Sequence, residues 1–249
     1  MKLVLISDVH GNLEALEAVL RDVDRIDPDA KLVCAGDVVG YGPDPEACIA
    51  RLRERHALCV MGNHEEMVLG YRDFSRCVHA GIVAAVWTRE HLSAAARAFL
   101  DALPHRREVA AGVVVCHGDL SSAETYVSTR EKAEEALAQL RAISSDAVVL
   151  VCGHTHQAAL FMLDGGFHPV TSPSDHHLAR VHPCLINPGA VGQSRDGNSW
   201  PVTPFWTSNA RPSRFGSCPT TIGRPSASFA RRDWSPRSFC CRLEVSGVG

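Results

Sequence analysis

No apolar run in this 249-residue chain approaches the roughly 18 residues that a membrane-spanning helix needs. The opening MKLVLISDVHG carries only Leu3 to Ile6 as an apolar stretch before Ser7, too short for the core of a signal peptide, so the cytoplasm is the expected compartment. An excess of one charge is also missing: 25 Lys and Arg against 28 Asp and Glu give a formal net charge of -3. That balance points neither to nucleic acid nor to an anionic membrane surface as a partner. No CxxC pair occurs among the 10 cysteines, and Cys34, Cys59, Cys116 and Cys152 sit inside apolar, strand-like runs. They read as buried free thiols in a reducing compartment rather than a disulfide framework or a thiolate zinc site. An internal repeat is absent too, which excludes solenoids and propellers.

What the chain does have is 45% hydrophobic and 21% charged residues, enough for one sizeable core. It is organised around LVCAGDVVGYGP, Leu32 to Pro43, where a buried strand runs directly into Gly36-Asp37. Other apolar runs end in the same way. Lys2 to Ile6 runs into Ser7-Asp8-Val9-His10, Ala57 to Met61 into Gly62-Asn63-His64-Glu65, and Val109 to Cys116 into His117-Gly118-Asp119. Ala147 to Cys152 runs into Gly153-His154-Thr155-His156, and Cys184 to Ile186 into Asn187-Pro188-Gly189. Between them lie helical patterns. Asn12 caps one with Leu13, Leu16, Val19, Leu20 and Val23 on one face, and Asp44-Pro45 opens another carrying Ile49 and Leu52. Residues from about 66 to 104 read as helical, with the segment Ser93 to Leu103 stopped by Pro104, and a capping box at Ser128 to Glu131 opens a helix through Ile143. Strand, polar loop, helix is an α/β pattern, and in such sheets ligands bind where loops converge at the carboxyl ends of the strands.

The strand ends collect Asp8, His10, Asp37, Asn63, His64, His117, His154 and His156. Singly, each has an ordinary explanation, since GN and GD pairs mark turns and a lone histidine is usually a hydrogen-bonded surface or core residue. Turn chemistry does not explain five histidines at strand ends. Carboxylate and imidazole together suit a divalent transition metal such as manganese, iron, cobalt, nickel or zinc. Seven ligand candidates exceed the coordination of one zinc, and one bridging carboxylate plus three ligands per ion accounts for them all. Two such ions, roughly 3.5–4 Å apart, clamp the attacking and leaving oxygens of an in-line displacement and lower the pKa of a shared water. That is phosphoester chemistry, with a small phosphoester as the partner.

In this order, DxH at 8 to 10, GDxxG at 36 to 40, GNHE at 62 to 65, His117 and GHTH at 153 to 156 resemble the calcineurin-like metallophosphoesterases. The resemblance spans nearly all of residues 1 to 198 and implies a two-sheet β-sandwich flanked by helices, a four-layer αββα fold. It implies Asp8, His10 and His156 on one metal, Asn63, His117 and His154 on the other, and Asp37 between them. Manganese is the first expectation for the pair. His64 would be the acid that protonates the leaving oxygen, a role imidazole can fill near neutral pH. In the Ser/Thr protein phosphatases of this superfamily the GD motif continues with a second acid and an Arg; here it continues with Gly40-Tyr41, which disfavours protein phosphatase activity. GDVVGYGPDP instead resembles the small bacterial phosphodiesterase branch, so a phosphodiester or nucleotide-type substrate is expected. The alternatives are a phosphomonoester, a dinucleoside polyphosphate, or a non-catalytic scaffold, and a scaffold of this fold typically lacks the acid histidine present here.

His168, His176, His177 and His182 read as solvated loop residues, and His56, His79, His91 and His105 as surface groups at helices or their ends. Arg72, Arg76 and Tyr126 are further candidates for touching a phosphate or a base, though no spacing singles them out. After Asn198 the character changes. Residues 199 to 249 hold Trp200, Trp206 and Trp234, seven Arg, no Lys, one Asp and one Glu, with no apolar periodicity. A basic disordered extension would look like this. So would a GC-rich gene read out of frame, and a one-base shift with free synonymous choice allows two strand-like segments and one helix-like segment. The expectation is therefore a catalytic domain over 1–198 and an anomalous, poorly ordered tail over 199–249, produced by a frame slip near Ser199.

Overall fold

The computed structural model describes residues 2–163, 166–169, 183–195 and 241–244. Among these, the strands form two facing sheets. The first has the order β10-β1-β2-β3, from Cys241–Glu244, Lys2–Ile6, Lys31–Cys34 and Leu58–Cys59. In it β1, β2 and β3 run parallel and β10 lies antiparallel on β1. The second has the order β4-β5-β6-β9-β7-β8, from Arg106–Ala110, Val113–Cys116, Val149–Val151, Cys184–Pro188, Ala158–Met162 and Gly166–Pro169. Its centre, β5, β6 and β9, is parallel, while β4, β7 and β8 join antiparallel at the sides.

Strand alternation explains the layering, because successive side chains leave a strand on opposite faces. Leu3, Leu5, Val33, Ala35 and Val60 point inward against Val113, Val115, Val151, Leu160 and Ile186 of the other sheet. Val4 and Ile6 point outward, onto Leu16, Val19, Leu20 and Val23 of α1 (Leu13–Ile26) and Ile49 and Leu52 of α2 (Pro45–Glu54). On the opposite side Val114, Leu150, Phe161 and Leu185 meet Ala133, Ala136, Leu137 and Leu140 of α6 (Arg130–Ile143). Each fully buried aliphatic contributes about 1.5–3 kcal/mol relative to exposure, so the three clusters together fix the four layers.

Several local expectations shift. The run Val109 to Cys116 is not one strand but a hairpin, β4 and β5, turned at Gly112 with φ 74. The stretch 66–104 divides into α3 (Asn63–Leu69), α4 (His79–His91) and α5 (Ala94–Asp101), the last capped by the Ser93 hydroxyl. Asn12 caps α1 as its spacing predicts, accepting from Ala15 N at 3.0 Å. In α6 the capping oxygen belongs to Thr129, one residue after Ser128. His56, His79, His91 and His105 are exposed. Of the tail 199–249 only β10 is described, and His176, His177 and His182, with the side chain of His168, lie outside the described residues.

Candidate metal centre

The parallel strands of both sheets deliver their carboxyl ends to one edge of the sandwich, and the loops that leave them are bound tightly to one another. Asp8 N donates to Gly36 O at 3.1 Å, His10 N to Asp37 O at 2.9 Å and Gly11 N to Val38 O at 2.8 Å, which zips the first loop onto the second. On its other side the first loop is closed by Val191 N to Ser7 O and Gly192 N to Asp8 O, both 2.9 Å. In these loops and the GHTH loop, Asp8, His10, Asp37, His154 and His156 lie in the left-handed region, at φ 54, 50, 53, 65 and 59. A non-glycine residue costs on the order of 1–2 kcal/mol there, so five together mark a place where side-chain direction is imposed against local preference. Gly153 is required for a different reason: a Cβ on it would run into the Ser7 hydroxyl and lie 2.8 Å from Asp8 Oδ2.

All eight strand-end residues converge at this edge, and all are buried. Ligand atoms of Asp8, His10, Asp37 and His156 lie within 4.8 Å of one another, as do those of Asp37, His117 and His154. Asp37 belongs to both groups. Asn63 joins the second, its Oδ1 3.1 Å from His117 Nε2. His64 stands beside the first, its ring edge-on to His10 at 4.7 Å between centroids, with its backbone N donating to Asp37 Oδ1 at 2.9 Å.

The donor chemistry fits cations. His10 Nδ1 donates to Val39 O at 3.2 Å, His117 Nδ1 to Ala35 O at 2.7 Å, and His156 Nδ1 to Gln193 O. With those protons placed on carbonyls, the Nε2 lone pairs face inward, the arrangement in which backbone partners fix the tautomer of metal-binding histidines. His10 Nε2 and His156 Nε2 then face each other at 3.1 Å, and His117 Nε2 faces Asp37 Oδ2 and Asn63 Oδ1 at 3.1 Å each. Acceptors opposed in this way need positive charge between them. His154 Nε2 is buried with no hydrogen-bond partner among the described residues. The titration behaviour of His10 and His154 agrees. Burial, with His64 beside it, holds His10 well below the usual imidazole range, and burial with the neighbouring His117 brings His154 down to about 4. Both are therefore neutral and able to donate lone pairs. Burial opposes charge on His117 as well, but the Asp37 carboxylate outweighs it and pushes that group up to about 10, so a proton on His117 Nε2 stands in for the cation opposite Asp37 and must leave for the nitrogen to bind a metal. Burial would raise Asp37, yet His117 and His64 hold it well below the carboxylate range.

Two buried side chains behind this layer carry no signal in spacing. Glu65 receives Asp37 N at 2.9 Å and Gly62 N at 2.8 Å on Oε2, and Val39 N at 3.0 Å on Oε1, tying the Asp37 loop to the start of α3. Burial and the Asp37 charge push its carboxyl up to about 7. Asn187 does the same for the GHTH loop, donating to Gly153 O at 2.7 Å and Thr155 Oγ1 at 3.0 Å while accepting from Gly189 N. In Glu65→Gln an NH₂ group replaces an acceptor and leaves a buried N–H unmatched, so unfolding free energy by denaturant titration is expected to fall by about 1–3 kcal/mol. An unchanged midpoint would remove Glu65 from this role.

The family model for the calcineurin-like phosphoesterase superfamily domain matches residues 1–203. The chain belongs to the calcineurin-like phosphoesterase superfamily. It is 31% identical over 200 residues to an uncharacterized protein of Methanocaldococcus jannaschii, covering 78% of each chain. The solved metallophosphoesterase of Sphaerobacter thermophilus is similar with 31% identity and a TM-score of 0.66 over 81% of each chain. A serine/threonine-protein phosphatase 1 of Salmonella typhimurium is 36% identical over 101 residues, 39% of this chain and 46% of that protein. As a calcineurin-like phosphoesterase the chain is a hydrolase of phosphoester bonds, and its His/Asp cluster could hold the divalent metals typical of the superfamily. Among the described residues no helix is long and apolar enough to cross a membrane.

Tyr41 directly follows the GDxxG motif. Its φ is 54, and its ring packs 4.9 Å from both His10 and His64. The His64 Nδ1 is buried without a hydrogen-bond partner among the described residues, and Gly40, at φ 92, lies so close that any Cβ there would overlap the imidazole. Packing, not a carboxylate, orients this ring. In front of the cluster opens a cleft of about 530 Å³, lined by Asp37, His64 and His154 and walled by Tyr41, Tyr126 and Arg195.

Proposed function

We propose that the protein is a binuclear metal phosphoesterase acting on a phosphodiester or nucleotide-type substrate, with Asp8, His10 and His156 on one ion, Asn63, His117 and His154 on the other, and Asp37 bridging. The observation that carries this reading is the membership of the Asp37 carboxylate in both ligand groups. Divalent ions held there, manganese first among them, would supply positive charge to the phosphoryl oxygens and a water acidic enough to attack near neutral pH. The residues themselves set the geometry. Left-handed backbone aims five of the seven ligands at one point, and three Nδ1 hydrogen bonds keep imidazole lone pairs on it. His64 holds its ring at the cleft wall, where it would give a proton to the departing ester oxygen; burial lowers its pKa, which makes the protonated ring a readier donor.

The substrate class rests on the walls. A cleft of about 530 Å³ suits a nucleotide-sized ligand, and the half-exposed Tyr126 ring offers a stacking face beside His154. Gly40-Tyr41 in place of an acid and an Arg speaks against a protein phosphatase. The described cysteines are free thiols, in keeping with a cytoplasmic location. The test is hydrolysis of p-nitrophenyl phosphate and bis(p-nitrophenyl) phosphate with and without manganese. Manganese-dependent turnover that favours the diester supports the reading, and preference for the monoester overturns the diester assignment.

The catalytic unit is taken as residues 1–198. The change of composition after Asn198 supports reading 199–249 as an out-of-frame tail, while the family match to 203 and the pairing of β10 with β1 stand against it. Sequencing the gene across codons 195 to 205, with an intact mass of the product, tests this; an unambiguous in-frame read would end it.

A further inference from the structure

The cleft walls hold two arginines with different commitments. Arg76 Nη1 lies 3.4 Å from Glu124 Oε2, a carboxylate that Arg72 also holds at 2.9 Å, so this charge is already matched. Arg195 faces neutral oxygens only. Its Nη1 donates to Tyr126 Oη at 3.1 Å and its Nη2 reaches Gln193 Oε1 at 3.5 Å, and among the described residues no carboxylate pairs with it. A guanidinium has five N–H donors, so most of this one is left to meet a ligand.

Its mounting is specific. Tyr126 packs its ring on His154 at 4.1 Å between centroids, and Gln193, two residues before Arg195, accepts from His156 Nδ1 through its carbonyl. Arg195 is thus fastened to one histidine of each ligand group and lines the same cleft as Asp37 and His64.

We propose that Arg195, held by Tyr126 and Gln193, is the anion-binding arm of the cleft and donates to a phosphate oxygen of the substrate. This deepens the phosphoesterase reading and rests on it. The oxygen is a non-bridging one of the phosphate under attack. Charge-assisted hydrogen bonds from a planar fork are the strong ones, and Lys does not reproduce them.

The experiment uses the full-length, manganese-loaded protein and inorganic phosphate as the probe. In Arg195→Ala, the inhibition constant for inorganic phosphate and the KM for p-nitrophenyl phosphate are expected to rise about 10- to 100-fold. The metal content stays at the wild-type value, Arg195→Lys recovers only part of the loss, and Tyr126→Phe, which keeps the ring on His154, gives a smaller rise. A larger KM effect on the monoester than on bis(p-nitrophenyl) phosphate assigns Arg195 to a terminal oxygen of the attacked phosphate. Unchanged phosphate inhibition in Arg195→Ala overturns the proposal while wild-type turnover leaves the phosphoesterase reading standing. Loss of metal in Arg195→Ala overturns it too, because the residue would then be a prop for the His156 loop. A wild-type protein that neither takes up manganese nor cleaves either ester removes both readings together.

Discussion

Asp37→Asn is expected to abolish metal-dependent turnover and to weaken metal binding by at least about 100-fold, beyond the effect typical of losing a mere supporting partner. The substitution is nearly isosteric, and the fold should survive it. The Asn Oδ1 can still accept from His64 N, as Asp37 Oδ1 does at 2.9 Å, and the new NH₂ can donate to the His117 Nε2 that lies 3.1 Å from Asp37 Oδ2. What disappears is the one negative charge common to both ligand groups. A thermal melt separates the cases: manganese should raise the melting temperature of the wild type by mass action and leave that of Asp37→Asn unmoved. An Asp37→Asn protein that still gains thermal stability from manganese would show that the carboxylate is not shared between ions.

The second large effect belongs to His64. Among the described residues its ring nitrogens make no hydrogen bond to any of the ligand candidates, and its ring is held by Tyr41 and by the closeness of Gly40. His64→Ala should therefore keep its full metal content while kcat falls about 10²- to 10⁴-fold, the span of general acid-base catalysis. The loss should be smallest for esters with an acidic leaving group such as p-nitrophenolate, which departs without much help from an acid. A uniform loss across leaving groups, or loss of metal, would take the acid role from His64.

The layers and the site differ in how far the sequence reveals them. Apolar runs that end in Asp, Asn or His are visible because strand period and turn chemistry are local, and β1, β2, β5, β6 and β9 lie where those runs predict. The hairpin of β4 and β5 is hidden because its turn, Ala111-Gly112, holds no polar residue to interrupt the apolar pattern. β7 and β8 are hidden as well: Ala158–Met162 follows the GHTH loop directly, with no Gly or Pro punctuation between them. The helix α3 starts at Asn63 itself, so this ligand candidate sits in a first helical turn rather than a free loop. Side chains that act at a distance in the chain are the least legible. Glu65 looks like one more acid in GNHE until three backbone N–H groups 26, 28 and 3 residues away are seen to converge on it. Arg195 carries no motif in the reading of the sequence, and only the cleft gives it a neighbour in Tyr126.

The measurement that bears most directly on the central claim is metal content by elemental analysis of protein equilibrated with manganese and freed of excess. The account predicts about two ions per chain, falling in Asp37→Asn and staying in His64→Ala. A single ion per chain at full manganese-dependent activity would contradict it, since the Asp37 carboxylate would then have nothing to bridge.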